Sequence, residues 1–211
     1  MSAAPGPDDG DDGLGLSGGS SVLLVLAGAL GLLAAMVLTI DRFTLLVDPS
    51  AHLACNVSPF IACGPVMESR AGALLGFPNP LLGIIGFTLL TTTGVVGLAG
   101  ARLPRWYHQG LQVGVLAAAA FLTWLQTQSL YVIGALCLWC MLVWAVTIPV
   151  VVTVTLHNAA AGHLGHRLVS PGRRLRPYAI TVTAVWYLVL IAAIGLRFYR
   201  EFALFWFGVA L

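Results

Sequence analysis

Charged side chains are scarce in this chain of 211 residues. Asp, Glu, Lys and Arg together make up 9% of the sequence, whereas hydrophobic residues make up 59%. Soluble domains usually have about a quarter of their residues charged, so the composition excludes an ordinary soluble domain. The formal net charge of only +2 gives no indication of a nucleic-acid partner.

A basic segment is missing ahead of the first apolar stretch. The preceding residues are acidic, with Asp8, Asp9, Asp11 and Asp12 among them, whereas a secretory signal begins with a positively charged region. The first apolar stretch is therefore predicted to be a retained membrane span. Residues 1–20 combine Gly, Ser, Pro and Asp with almost no bulky apolar side chains, which predicts a disordered, acidic, cytoplasmic tail.

Long apolar stretches are what the sequence does contain. A membrane-spanning helix needs roughly 20 mainly apolar residues, and five stretches meet this requirement: residues 22–40, 81–99, 110–130, 137–156 and 179–196. The predicted fold class is an all-α membrane protein with five transmembrane helices. Residues 21–211 are expected to form one transmembrane domain with a long outer loop at about 41–79.

The basic loops predict how the chain crosses the membrane. The loops at residues 100–109 and 157–178 share a side and contain six arginines: Arg102, Arg105, Arg167, Arg173, Arg174 and Arg176. Cytoplasmic loops carry an excess of Lys and Arg, so these loops and the N-terminus are predicted to be cytoplasmic. Four arginines on the outer side weaken the asymmetry: Arg42, Arg70, Arg197 and Arg200. We expect a multi-pass protein of the cell membrane.

All four cysteines fall on the predicted outer side. Cys55 and Cys63 lie in the long loop, and Cys137 and Cys140 lie where the fourth span begins. Disulfides persist outside the cytosol, and a Cys-x-x-Cys at a helix N-terminus is placed to stabilise a thiolate. The pattern predicts thiol–disulfide exchange at this face of the membrane.

Three other interpretations of the cysteines remain open at this point. They are a zinc site that includes His52, a pair of inert structural disulfides, and four buried apolar thiols. The spacing Cys55-x7-Cys63 is unusual for zinc ligands, and zinc would occupy thiols beside lipid. A Cys-x-x-Cys within one helical turn suits a redox couple better than a structural crosslink. We expect no metal.

The motifs around these cysteines resemble the vitamin K epoxide reductase family, most closely its bacterial branch. The resemblance rests on the loop segment Cys55-Asn56-Val57-Ser58-Pro59-Phe60-Ile61-Ala62-Cys63, on Ser69, on Gly76-Phe77-Pro78-Asn79-Pro80 and on the later Cys-x-x-Cys, in this order. It covers about residues 22–196. No single motif is specific, but their combination and order are.

The resemblance implies a four-helix bundle around a quinone, with a fifth helix at its periphery. It also implies an electron relay: Cys55 exchanges with an external dithiol, Cys63 passes the electrons to Cys137, and Cys140 acts nearest the quinone. The acceptor would be menaquinone or ubiquinone. The donor would be a secreted thioredoxin-like protein of the DsbA type, reoxidised in support of disulfide formation.

Three further residues match family positions near the quinone. The resemblance places Asn79 near a quinone carbonyl and Ser69 near the helical part of the loop, although Asn79 also suits an N-cap before Pro80 and Ser69 suits a local hydrogen bond. Trp144 stands where animal members have a Tyr, which puts hydrogen bonding by a phenol in doubt. Many bacterial relatives continue into a thioredoxin-like domain, whereas this chain ends at Leu211, so a separate donor protein is expected.

Two alternative functions remain open. The first is a vitamin K quinone or epoxide reductase whose valued product is the hydroquinone. The second is a non-enzymatic helical membrane scaffold with structural disulfides. If the protein is a scaffold, replacing Cys140 by Ser should leave secreted disulfide formation intact.

Three groups of residues are predicted to take no part in the chemistry. Gly110 and Gly114 have the small-xxx-small spacing of closely packed transmembrane helices. The polar residues at the outer end of the third span are expected to mark the membrane interface rather than to face the quinone pocket: Gln126, Thr127, Gln128 and Ser129. Four histidines accompany the cytoplasmic arginines and are expected to be solvated: His108, His157, His163 and His166.

Overall fold

The computed structural model describes residues 17–58, 60–74 and 76–207, with the backbone alone for 202–207. The predicted acidic tail lies outside these residues as far as residue 16. Its last part is helical rather than disordered, because helix α1 begins at Gly18 and the Ser17 side chain accepts a hydrogen bond from the backbone N–H of Ser20. The helix therefore starts before Val22, the first residue of the apolar stretch.

Helices make up most of the described chain. The long ones are α1 (Gly18–Val47), α3 (Pro80–Leu98), α4 (Arg105–Thr127), α5 (Leu138–Ala160) and α7 (Ala179–Phe207), and the short ones are α2 (Cys63–Glu68) and α6 (Val169–Leu175). A π-helix over Gln128–Ile133 extends α4. Five helical segments are long and apolar enough to cross a membrane, which confirms an all-α membrane protein with five spans.

Glycines allow α1 and α3 to pack with their backbones close together. A Cβ added at Gly28 would lie 2.8 Å from the backbone nitrogen of Thr91, and one at Gly94 would lie 2.7 Å from that of Val25. Neither backbone can move aside without separating the helices. Close approach of this kind drives helix association in lipid, where the hydrophobic effect does not distinguish a helix surface from lipid tails.

Four helices surround an internal cavity, and the fifth lies outside it. Helix α1 packs on α3 and α5, and α5 also packs on α4, while α3 and α4 have few direct contacts and face one another across the cavity. Helix α7 packs on the outer side of α5. This arrangement matches the predicted bundle of four helices with one peripheral helix.

All four cysteines lie at one end of the bundle, here called the cysteine end. Its connections are the loop of residues 48–79 and the turn at 134–137. Gly134 has φ 71° in that turn, a left-handed conformation that glycine adopts without a steric penalty. The opposite end, here called the far end, contains residues 99–104 and 161–178. The loop at the cysteine end is shorter than predicted because α1 continues to Val47.

Three of the four histidines at the far end are buried, so the prediction that they are solvated was wrong. His108, His157 and His163 lie between α4, α5 and the connection after α5, and only His166 is exposed. The ring of His108 stacks on that of His163 with 4.4 Å between centroids. Asn158 fixes the same region, since its Nδ2 donates to the backbone oxygen of His108 at 3.1 Å.

The glycine pair of α4 does not pack against another helix, contrary to expectation. A Cβ added at Gly110 or Gly114 would have no other atom within 4 Å, and both residues line the cavity. The spacing is right for packing, but the helix opposite, α3, stands across an open space. These glycines widen the cavity instead.

Candidate functional site

Cys55 and Cys63 form a disulfide in the loop at the cysteine end. Cys63 begins helix α2, and Asn56 prepares its position, since the Asn56 Oδ1 accepts hydrogen bonds from the backbone N–H groups of Cys63 (2.9 Å) and Gly64 (3.5 Å). The amide caps the first turn of α2 from within the loop. The disulfide is thereby held in a fixed position at the cysteine end of the bundle.

A short backbone pairing brings this disulfide against Cys137. The Leu136 N–H donates to the Phe60 oxygen at 2.8 Å, and the Ala62 N–H donates to the Leu136 oxygen at 2.9 Å. Because Cys63 follows Ala62 and Cys137 follows Leu136, the two cysteines become neighbours. The Cys137 thiol donates to Sγ of Cys63 with 3.2 Å between the sulfurs, and both residues are completely buried.

The surroundings of Cys137 favour its thiolate. A hydrogen bond from the Cys140 side chain is the largest cause that lowers the pKa of Cys137 below the ordinary range of a cysteine. Burial opposes this shift, while the backbone N–H groups of Cys140 and Trp139 add to it. Cys137 is the N-cap of α5, where such N–H groups are unpaired. The cysteine whose thiolate is favoured therefore touches a disulfide sulfur.

An acidic side chain lies beside the other sulfur of the disulfide. The Asp41 Oδ2 is 3.9 Å from Sγ of Cys55. A reduced Cys55 would therefore have a carboxylate within reach of its thiol proton. Sequence reasoning did not single out Asp41, because nothing in the sequence places residue 41 beside residue 55.

Cys140 faces inward, where it lines the cavity of about 630 Å³ between α1, α3, α4 and α5. The lining is almost entirely apolar, with Phe87, Leu90 and Trp144 among the larger side chains. A large apolar cavity with a few polar groups is the usual form of a site for a small organic molecule. The pair Cys137 and Cys140 thus links a buried disulfide to an apolar binding space.

The residues predicted to lie near a quinone differ in their positions. Asn79 and Trp144 line the cavity, whereas Ser69 does not. The Ser69 hydroxyl donates to the Val66 oxygen (2.7 Å) and accepts from the Gly72 N–H (3.2 Å), which is a local loop role.

Asn79 occupies the N-cap position of α3 as predicted, but its side chain does not cap the helix. Although Asn79 precedes Pro80 at the first position of α3, its side chain forms no capping hydrogen bond. Its Nδ2 donates to the Ala71 oxygen at 2.6 Å, and its Oδ1 accepts from the Leu74 N–H at 3.2 Å. Asn79 therefore ties the loop to the rim of the cavity.

Other polar groups at the cavity were not foreseen. Arg42 lines it, forms no salt bridge among the residues that the structure describes, and buries an Nε without a hydrogen-bond partner there. The available signal was helical spacing, since Ala35, Leu38 and Arg42 share one face of α1. Gln128 and Ser129 also line the cavity, so the expectation that they only mark the interface was wrong for these two.

The residues present fit a quinone and give no sign of a metal site. The apolar walls suit a lipid-soluble ring and tail, while Asn79 and Arg42 offer nitrogen donors. Within the described residues, no group of three or more His, Cys, Asp or Glu side chains is arranged to bind a metal ion. Zinc ligation by all four thiols is also incompatible with the disulfide between Cys55 and Cys63.

Comparison with protein families agrees with the resemblance seen in the cysteine motifs. The family model described as "Vitamin K epoxide reductase family" matches residues 22–155, which is more than half of the chain. The match includes all four cysteines and ends within α5. A comparison with individual curated proteins finds no match. Five apolar helices, two cysteine pairs and this match make the protein a membrane redox enzyme, and the chain belongs to the vitamin K epoxide reductase family.

Proposed function

We propose that the chain oxidises an external dithiol protein and passes two electrons through its two cysteine pairs to a membrane quinone. The observation that carries the proposal is the 3.2 Å contact between the thiol of Cys137 and Cys63 of the loop disulfide. Exchange between a thiolate and a disulfide requires contact of this kind. Cys140, on the wall of the apolar cavity, extends the relay inward.

The first half of the cycle brings electrons into the loop pair. A donor thiolate attacks Sγ of Cys55, and the bond to Cys63 breaks, which releases Cys63 as a thiolate. Cys63 then attacks Cys137 in an oxidised Cys137–Cys140 pair, and Cys140 leaves as a thiolate. The loop and the start of α5 are already aligned for this step by the pairing of Phe60 and Ala62 with Leu136.

The second half restores the loop disulfide. The second donor thiol displaces Cys55, so the donor leaves as a disulfide, and Asp41 is placed to exchange a proton with Cys55. Cys55 then attacks Cys63 in its bond to Cys137, which releases Cys137. The result is an oxidised loop pair and a reduced inner pair, which are the redox states seen in the structure.

The inner pair must then lose two electrons. A bound quinone supplies a two-electron, two-proton acceptor. Cys137 and Cys140 form a disulfide as the electrons leave, while Arg42 and Asn79 offer positive charge and N–H groups to an oxygen that gains negative charge. The few contacts between α3 and α4 leave a route from the bilayer into the cavity.

The proposed orientation places the cysteine end outside the cytoplasm. Its support is the group of six arginines at the far end, in the segments 99–104 and 161–178 or next to them. The donor would then be a secreted thioredoxin-like protein of the DsbA type, and menaquinone and ubiquinone are the candidate acceptors. This side is also where disulfides form and persist.

The decisive experiment combines the purified protein with a reduced DsbA-type donor and a quinone. We expect quinone reduction by the wild type and its loss in each single Cys→Ala variant. Cells that lack the chain should fail to form secreted disulfides. Unchanged turnover in Cys140→Ala would refute the relay, and loss confined to Cys137→Ala and Cys140→Ala would remove the loop pair from it.

A further inference from the structure

Helix α7 has one buried side chain among half-buried and exposed ones. Between residues 179 and 201, where side chains are described, only Phe198 is buried, with 1% of its surface exposed. Leu196, two residues earlier, is 78% exposed. The helix is interrupted at Phe198, where φ is −110° and ψ is 18°, and the aromatic ring lies buried at the cysteine end.

The ring of Phe198 enters the cluster beneath the redox loop. Its centroid is 6.2 Å from that of Phe60, and the ring planes differ by 32°, within the usual range for interacting aromatic pairs. The buried members of the cluster come from the loop, α4, its π-helix, the turn, α5 and α7: Phe60, Leu122, Leu130, Leu136, Trp144 and Phe198. Cys140 packs against the same cluster.

Two members of this cluster are the residues that align the cysteines. The Leu136 N–H donates to the Phe60 oxygen in the first hydrogen bond of the pairing, and the pairing places Cys63 beside Cys137. Phe198 is therefore in one cluster with both sides of the junction. Arg197 also approaches the turn. One of its guanidinium nitrogens would lie 3.7 Å from a Cβ added at Gly134.

We infer that Phe198 is a positioning residue for the relay and that α7 holds the redox loop in register with α5. The ring keeps Phe60 against Leu136, so that Cys63 stays within reach of Cys137. The inference rests on the proposed function, but it concerns a helix beyond the family match, which ends at residue 155. A helix that served only to anchor the protein in lipid would not need a buried side chain that reaches the loop. The inference therefore gives α7 a second role.

A trapping experiment tests the position of the loop without turnover. In a Cys55→Ala/Cys140→Ala background, Cys63 and Cys137 are the remaining cysteines, and their crosslinking under mild oxidation is followed by mass spectrometry. Misplacement by about 1 Å can cost up to a hundredfold in rate, and we expect Phe198→Ala to slow crosslinking about tenfold. Phe198→Leu should restore much of the rate, because it retains buried apolar volume. The matched control is Leu196→Ala, which should have no effect.

A turnover experiment separates positioning from general damage. Phe198→Ala should lower quinone reduction driven by the protein donor about tenfold. In a Cys55→Ala/Cys63→Ala background, where dithiothreitol supplies electrons to the inner pair directly, it should change nothing. If Phe198→Ala also lowers quinone reduction in that background, the substitution has damaged the bundle as a whole. Restoration of crosslinking by Phe198→Leu in the trapping experiment then decides whether Phe198 positions the loop.

Two results would overturn the inference. One is crosslinking at the wild-type rate in Phe198→Ala, and the other is an equal loss in Phe198→Ala and Leu196→Ala. The proposed function fails differently, because in that case the wild type itself would not reduce quinone with the protein donor.

Discussion

Cys137 lies between the loop disulfide and Cys140 in the proposed relay, and its pKa has a testable cause. The Cys140 side chain donates to it, and this contact is the largest influence that lowers the pKa of Cys137. A lowered pKa means that the thiolate persists to a lower pH than in an ordinary cysteine. The fraction of Cys137 present as the thiolate should therefore increase with pH and level off below the pH expected for a free thiol.

Two substitutions at one position test this cause. Cys140→Ser keeps a hydrogen-bond donor beside Cys137, whereas Cys140→Ala removes it, and each leaves Cys137 as the single free thiol while the loop pair is oxidised. Titrating the ultraviolet absorbance of the thiolate should give a lower midpoint for Cys140→Ser than for Cys140→Ala. Equal midpoints would show that the hydrogen bond is not what lowers the pKa.

Arg42 should act on the quinone step alone. Removing one donor aimed at developing negative charge commonly costs about a hundredfold in rate, so Arg42→Gln should slow quinone reduction by the pre-reduced protein by about that factor. Arg42→Lys keeps the charge and should lose less. Arg70→Gln, at an exposed arginine of the loop at the cysteine end, is the control. Crosslinking of Cys63 to Cys137 should be unaffected in all three variants, and slower crosslinking in Arg42→Gln would mean that Arg42 supports the loop instead.

At the scale of helices, glycines have two opposite roles. Gly94 lies against the backbone of α1, whereas Gly114 faces open space. Gly94→Ala must push α1 and α3 apart, and overpacking of this kind costs about 1–3 kcal/mol. Gly114→Ala should leave the free energy of unfolding nearly unchanged. Thermal or denaturant unfolding in detergent compares the two variants, and equal stability would contradict the packing described for α1 and α3.

A larger side chain at Gly114 tests the cavity itself. Gly114→Phe places a ring in the space between α3 and α4, so the KM for a long-tailed quinone should rise roughly tenfold, equivalent to about 1.4 kcal/mol. A quinone with a short tail should be affected less. Gly195→Phe, on the exposed surface of α7 with nothing within 4 Å, should have no effect. An equal rise in KM for both quinones would show that the tail does not lie between α3 and α4.

The five spans were predictable because apolar runs of about 20 residues have few alternatives to a membrane helix. The ends of α1 and α7 were not, since the helices continue past their apolar runs into residues 41–47 and 197–207. The spacing of Gly110 and Gly114 indicates two helices in contact, but it does not show whether the opposite helix is near enough. Burial of His108 likewise depends on α5, which is distant in sequence.

For the molecule as a whole, the orientation in the membrane is open to direct measurement. Val57 is exposed at the cysteine end, and Ser170 is exposed at the far end. We expect a membrane-impermeant maleimide to label Val57→Cys in intact cells and Ser170→Cys only after permeabilisation, because the arginines favour a cytoplasmic far end. The reverse pattern would place the redox loop in the cytosol and refute the proposed donor.

The candidate site was predictable to a similar, partial degree. The cysteine motifs and the family resemblance identify the two pairs, but 74 residues separate Cys63 from Cys137. Their contact depends on the pairing at Leu136, which has no sequence signature. Arg42 and Phe198 were missed for the same reason, since the cavity and the cluster that bury them are assembled from several helices.

The hydrogen bond between the Thr93 hydroxyl and the Tyr107 phenol, 2.6 Å long, joins α3 to α4 at the end of the cavity remote from Cys140. Because α3 and α4 are joined there, a quinone reduced at Cys140 in the proposed mechanism would leave the cavity sideways into the lipid. In the proposed orientation, electrons would then be removed from one compartment without drawing on the glutathione and thioredoxin of the other, which would confine disulfide formation to one side of the membrane.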